Sequence, residues 1–293
     1  MKIGVCVPNF GSFASPSAIK AAAEAAEDLG FDSIWVTDHL VVPIENRIPY
    51  GTTYEVISTL SYLASITKKI KVGISALILP LRNPVVVAKQ AATIDQLSGG
   101  RLILSVGFGW LEKEFSYLKA DYKHRYTTVK NGVKLMRALW AEDPVNYFDT
   151  NYSIVNALAD PKPVQKTAIP IYIAGNTQKA LEIALTVGDG WHPVGLSPEE
   201  VSQKLETVKR ERADFPITLR SPFKLGERLD YRGASGRAMY TIQGSDKEIS
   251  ESLIRFDENG VSHIVLHIIS DSFDEYIKTL KYISEKIIPI FRS

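Results

Sequence analysis

The pair Asp38-His39 closes the stretch FDSIWVTDH, Phe31 to His39, and is the first place where this sequence offers chemistry. Histidine is the side chain whose unperturbed titration falls near neutrality, so His39 is a candidate to take up and release a proton. Asp38 could orient that imidazole or serve the backbone of the next loop. Spacing alone equally allows the pair to do no more than cap the next segment. The residues before it (Ile34, Trp35, Val36, Thr37) are β-branched and aromatic and read as a buried strand. Alternation places Trp35, Thr37 and His39 on one face and Ile34, Val36 and Asp38 on the other. A strand apolar on both faces until its last two residues is buried in a parallel sheet and surfaces only at its C-terminal end.

Other residue types offer weaker signals. His263 and His267 suggest a metal pair, but along a strand they stand roughly 13 Å apart at ~3.3 Å per residue, too far to share one ion. No metal is expected. Glu112 and Glu114 could form the paired carboxylates of glycoside hydrolysis, yet the charged, helix-like WLEKEF segment around them predicts a solvated face. The run AGNT, Ala174 to Thr177, ends one apolar stretch and opens a helix. Backbone N–H groups there could receive an anion, or Thr177 could be an ordinary cap. No GxSxG, CxxC or GxxxxGK[ST] occurs to support nucleophilic or P-loop chemistry.

Bulk properties narrow the class. A net charge of +1 with no dense basic stretch argues against nucleic acid. The single cysteine, Cys6, rules out an internal disulfide, suits a reducing compartment, and reads as a small buried hydrophobe in the first strand. No run approaches the ~18 apolar residues of a membrane span, and the N-terminal apolar run is too short for a signal peptide. A soluble, cytoplasmic protein is expected.

The elements that must carry these residues alternate regularly. Strand-like runs fall at 3–7, 31–39, 71–79, 101–109, 169–175, 189–194, 216–225 and 262–269, separated by helix-like runs. Ser15-Pro16 and Asn83-Pro84 open two of the helices, and Gly30 and Gly99 stop them. A hairpin is expected around Asp149–Asn151, within an insertion. AEDLGFDSIWV and FDENGVSHIVL repeat one helix–Gly–strand unit. Eightfold alternation predicts a single α/β domain over residues 1–293, a (β/α)8 TIM barrel with insertions at its C-terminal face. Long connections follow strands two, four and seven, which places a binding mouth on that face.

The segments LGFDSIWVTDH, LSGGRLILSVGFGWLEKEF, NGVKLMRALW and IPIYIAGNT followed by GDGW, in this order, resemble the luciferase-like monooxygenase superfamily. They are most similar to its branch using the deazaflavin coenzyme F420; FMN-dependent relatives are the alternative. The resemblance implies a cofactor ring in the C-terminal mouth beside His39. It implies a bulge with a non-prolyl cis peptide at Ser75-Ala76 supporting the ring, with Gly107 also against the cofactor. A phosphate would be held around Gly175, Asn176 and Thr177, and Asn9 and Trp110 would line the substrate. Sugar-phosphate dehydrogenases of the family carry a Trp four residues after that His and a Glu in the strand-four loop. Here those positions are Pro43 and Trp110, so a glucose-6-phosphate activity would lack its acid.

The resulting expectation is hydride transfer between a deazaflavin and a small organic substrate, with His39 handling a proton and Asp38 supporting it. The alternatives are an FMN-dependent monooxygenase fed by a partner reductase, and a cofactor-binding protein without turnover. Relatives also suggest a homodimer.

Overall fold

The computed structural model describes residues 1–166 and 168–292. Strand β1 (Lys2–Cys6) and helix α1 (Pro16–Asp28) lead to β2 (Ser33–Val36). The connection after β2 contains the four-residue helix α2 (Arg47–Tyr50), followed by α3 (Val56–Ile66) and β3 (Lys71–Ile78). Next come α4 (Pro84–Ser98), β4 (Leu102–Gly107), the short α5 (Glu112–Tyr117) and α6 (Arg125–Ala141). The antiparallel hairpin β5 (Val145–Phe148) and β6 (Ser153–Ala157) stands apart from the main sheet, as the turn residues around Asp149 predict. Then come β7 (Ile171–Ala174), α7 (Gln178–Val187), β8 (Gly190–His192) and α8 (Pro198–Glu211). The chain ends with β9 (Thr218–Lys224), β10 (Ile242–Gln243), α9 (Asp246–Glu258), β11 (His263–Ile268) and α10 (Phe273–Tyr282).

Capping obeys the sequence. Ser15 accepts from the Ala18 N–H ahead of Pro16, and Asn83 accepts from the Val85 N–H ahead of Pro84. Gly99 ends α4 at a positive φ of 66°, which a glycine adopts without a Cβ penalty.

The main sheet has nine parallel strands in the order β10-β9-β11-β1-β2-β3-β4-β7-β8. The two repeated units supply β2 and β11, which flank β1. The sheet curls until β8 approaches β9. There the contact is two isolated parallel bridges, Trp191 to Ile217 and Val194 to Arg220. Pro193 and Pro216 sit in this seam and have no N–H to donate, so a continuous ladder cannot form. Both serve as acceptors instead, from Arg220 and Trp191, each at 3.0 Å. In place of the expected eight-stranded barrel there is thus a curled nine-stranded parallel sheet, with β10 as an addition and a bridged seam.

The main core lies between the sheet and its helices. Ile34 and Val36 of β2 point into it, with Leu60, Leu63, Val72 and Leu104. The inside of the curl is filled differently. Trp35 is fully buried there beside Cys6 and Val265. Its ring fits because its cross-strand neighbours are small. A Cβ built on Gly73 would stand 2.6 Å from the Trp35 ring, and one on Gly4 would stand 2.2 Å from Ser33 Oγ. Trp35 Nε1 donates to Ser33 Oγ at 2.6 Å, and that hydroxyl also meets His263 Nε2 at 2.8 Å. This polar-edged plug closes the interior beneath the C-terminal mouth.

Candidate active site

The β2 ladder stops at Val36, short of the residues that could do chemistry. Asn9 continues it. Its Oδ1 accepts from the Thr37 N–H at 2.9 Å and its Nδ2 donates to the Thr37 carbonyl at 2.8 Å. A side-chain amide thus imitates a neighbouring strand and carries the backbone of β2 out to the lip. Asn9 is fully buried in this role and does not line the cavity; Phe10 does.

A cavity of about 370 Å3 opens at the C-terminal ends of the strands. Asp38, His39, Ser75, Ala76, Gly107, Trp110, Gly175, Asn176 and Thr177 all line it, so the expected site residues other than Asn9 converge there. His39 is buried, its Nδ1 2.8 Å from Glu114 Oε2. The other carboxylate oxygen accepts from the N–H groups of Leu40 at 2.6 Å and Val41 at 3.3 Å. Burial pushes the Glu114 carboxyl up, but the His39 hydrogen bond and charge and the two N–H groups outweigh it, leaving it below the ordinary range. An ionised carboxylate only accepts, so His39 Nδ1 carries a proton and Nε2 is the ring nitrogen left for a ligand. Tyr50 lies 4.2 Å from the imidazole and Trp110 meets it edge-on at 6.0 Å.

Two expectations are corrected here. Glu114 is not on a solvated face: it is 1% exposed, whereas Glu112 is exposed. Short helix α5 turns one carboxylate inward and the other out. The strand-four connection does therefore bring a carboxylate to the site, four residues beyond Trp110. Asp38 does not hydrogen-bond His39. Its Oδ2 takes the Ile78 N–H at 2.8 Å and Arg82 Nη1 at 2.6 Å, and its Oδ1 takes Arg82 Nη2 at 2.8 Å. Opposite faces of an extended segment send the two neighbours to different partners.

One wall of the cavity is built from small residues. The Ser75-Ala76 peptide is cis, and the β3–β4 register shifts between Ile74 and Leu77. A Cβ on Gly107 would lie 3.4 Å from the Ala76 Cβ and 3.8 Å from that of Ala174, so any larger side chain would fill the slot. At one end of this wall, Gly175 gives its N–H to the His192 carbonyl at 3.3 Å, and Thr177 caps α7. The N–H groups left for an anion are thus those from Asn176 onward. Asn176 repeats the device of Asn9, holding Val194 N–H at 2.9 Å and its carbonyl at 2.7 Å. Tyr126 lines the same end, stacked on Phe108 at 4.4 Å, with Lys179 Nζ 4.7 Å from its ring. Thr37 also lines the cavity, its Oγ1 buried and without a hydrogen-bond partner among the described residues. A flat slot, an anion-ready end and an orphaned hydroxyl together suit a planar ring with a phosphate-bearing tail.

Nothing in the sequence marked Arg220, Tyr50, Tyr126, Tyr231 or Lys179 as site residues. Each is an ordinary member of its local pattern. His263 and His267, the conceivable metal pair, bond separately: His263 to Ser33, His267 to Arg220.

The model of the family described as luciferase-like monooxygenase matches residues 1–259. The chain belongs to that family. On that ground it is an enzyme. Among curated family relatives, an F420-dependent glucose-6-phosphate dehydrogenase of Amycolatopsis mediterranei (strain U-32) is 32% identical over 197 residues, 66% of this chain and 58% of the relative's length. Among solved structures, an F420-dependent secondary alcohol dehydrogenase in complex with an F420-acetone adduct superposes with a TM-score of 0.82 at 21% identity, covering 100% of this chain and 99% of that one. An EDTA monooxygenase from Chelativorans sp. BNC1 superposes at 0.79 and 14% identity, covering 100% and 93%. These structures share the fold. No helix among the described residues is long and apolar enough to cross a membrane.

Proposed function

We propose that this protein is an F420-dependent oxidoreductase acting on a small organic substrate, with the mouth of the curled sheet functioning as that of a closed (β/α)8 barrel. The observation that carries the reading is the buried His39–Glu114 pair at the edge of a slot walled by Ala76, Gly107 and Ala174. The relative that is 32% identical and uses F420 supports the choice of coenzyme. Bound F420 would supply the ring carbon that accepts or delivers hydride.

The protein's own part is position and proton handling. The small-residue wall would support the ring, and the turn at Asn176 and Thr177, with Lys179 nearby over Tyr126, would hold its phosphate-bearing tail. Glu114 fixes the His39 tautomer and would stabilise the imidazolium, so that Nε2 can accept a proton from a substrate hydroxyl or return it. Phe10, Tyr50 and Trp110 line the side of the cavity left for the substrate. Asp38 acts at one remove: by pinning Arg82 and the Ile78 N–H it holds the end of β3 against the lip of β2.

The same wall and turn would also accept FMN, and direct competition separates the two cofactors. Fluorescence titration with F420 and FMN side by side is expected to show tighter binding of F420. Bound F420 should then be reduced by members of an alcohol and aldehyde-hydrate panel without oxygen uptake. Preference for FMN, or turnover that consumes oxygen, would overturn the assignment in favour of a monooxygenase.

A further inference from the structure

Arg220 of β9 lines the same cavity as His39. Its Nη1 donates to the Ser75 carbonyl at 2.9 Å and its Nη2 meets His267 Nδ1 at 3.1 Å. Arg220 is half-buried and lines the cavity, yet among the described residues it forms no ion pair with a carboxylate. The carboxylates at this end of the fold are engaged elsewhere: Asp38 holds Arg82, and Glu114 holds His39 Nδ1 and the Leu40 and Val41 N–H groups. Arg237, also lining, is exposed and stands 4.0 Å from Glu200 at the rim. Arg220 is therefore a partly desolvated cation with no carboxylate against it among the described residues, and a desolvated charge without a contacting counter-charge is costly.

Its neighbours keep it free to donate. A guanidinium only donates, so His267 Nδ1 must accept and the His267 proton resides on Nε2. Burial, then the charge of Arg220, hold His267 well below its ordinary titration, so it stays neutral. Phe10 stacks on the imidazole at 5.4 Å with an 8° tilt, fixing its plane, and Tyr231 lies 6.3 Å away.

We propose that Arg220, oriented by His267, is a receptor for a planar oxyanion on the floor of this cavity. The matching group is either the ionised edge of the reduced cofactor ring, which rests on the function proposed above, or a carboxylate or enolate on the substrate. A guanidinium holds such a group through parallel N–H bonds.

The test compares wild type, Arg220→Met and Arg220→Lys, with melting temperature as the check on folding. Affinities are measured for oxidised and reduced F420, and for benzoate against its neutral isostere benzamide. If the cofactor supplies the anion, Arg220→Met loses about ten- to a hundredfold more affinity for the reduced than for the oxidised form. Arg220→Lys should keep part of that difference. If the substrate supplies it, both redox forms lose equally, while wild type prefers benzoate to benzamide and Arg220→Met does not. A wild type that prefers neither the reduced cofactor nor benzoate overturns the receptor, whatever the variants do. So does an Arg220→Met protein that retains those preferences. Wild type that selects benzoate but binds neither F420 nor FMN would instead sink the proposed function and leave the receptor standing.

Discussion

Four of the five histidines fall in two regions of this molecule, and their partners differ; the fifth, His124, is exposed beside Asp121. At the lip, His39 faces an ionised carboxylate. In the interior and floor, His263 and His192 meet the hydroxyls of Ser33 and Ser75, and His267 meets a guanidinium. Burial, then the charge of Arg220, takes His192 down to about 3. Burial, with Lys2, takes His263 to about 3 as well. One residue type thus stands beside an anion at the lip and is a neutral packing piece beside hydroxyls in the interior.

The largest effect should come from removing the lip histidine. His39→Ala is expected to lower turnover about a hundred- to ten-thousandfold. Its melting temperature should fall as well, because the buried Glu114 carboxylate loses one partner while keeping the Leu40 and Val41 N–H groups. The interior counterpart, His263→Ala, should lose ~1–3 kcal/mol in stability yet keep normal turnover per folded molecule. If the two variants exchange phenotypes under paired melts and steady-state kinetics, the division fails.

A subtler change sharpens the same contrast. Glu114→Gln keeps an oxygen for the Leu40 and Val41 N–H groups but turns an amide N–H toward His39 Nδ1, so the ring takes its other tautomer and Nε2 carries the proton. Steady-state kinetics should therefore show a loss of turnover no greater than that of His39→Ala. Unchanged turnover would reduce Glu114 to a loop anchor.

The interior predicts a pH dependence of stability. His192 and His263 titrate at about 3 when folded against 6.5 ordinarily, so the unfolded chain binds more protons throughout that interval. Stability should be undiminished above pH 6.5 and decline as the pH falls toward 3. Glu114 adds a later loss: its lowered folded value gives stabilisation above its ordinary 4.5 that disappears on further acidification. Thermal melts across this range check both, and a flat profile between 6.5 and 5 would contradict neutral interior histidines.

The smallest effect concerns the fit beneath the site. Gly73→Ala would press a Cβ into the Trp35 ring and should cost ~1–3 kcal/mol while leaving cofactor affinity nearly intact. On the surface, Lys179→Gln should weaken cofactor binding a fewfold with no change in the melt.

What was legible in the sequence is what local chemistry dictates. Alternation along β2 separates Asp38 from His39, the Ser15-Pro16 and Asn83-Pro84 pairs start helices, and eight recurring units predict a parallel sheet closed as a barrel, though not its ninth strand or its bridged seam. His39 at a strand lip comes from these rules alone. Its partner does not. Glu114 lies 75 residues away in a six-residue helix, too short for any periodicity to show which side faces inward. Arg220 likewise reads as a polar break in a strand until the curl brings it to Ser75, 145 residues distant. Dihedral preferences and hydrophobic periods act over a few residues, so they locate the lip and its histidine. Which charge meets that histidine, and which cation is left without one, depends on distant segments docking, and only the tertiary structure decides it.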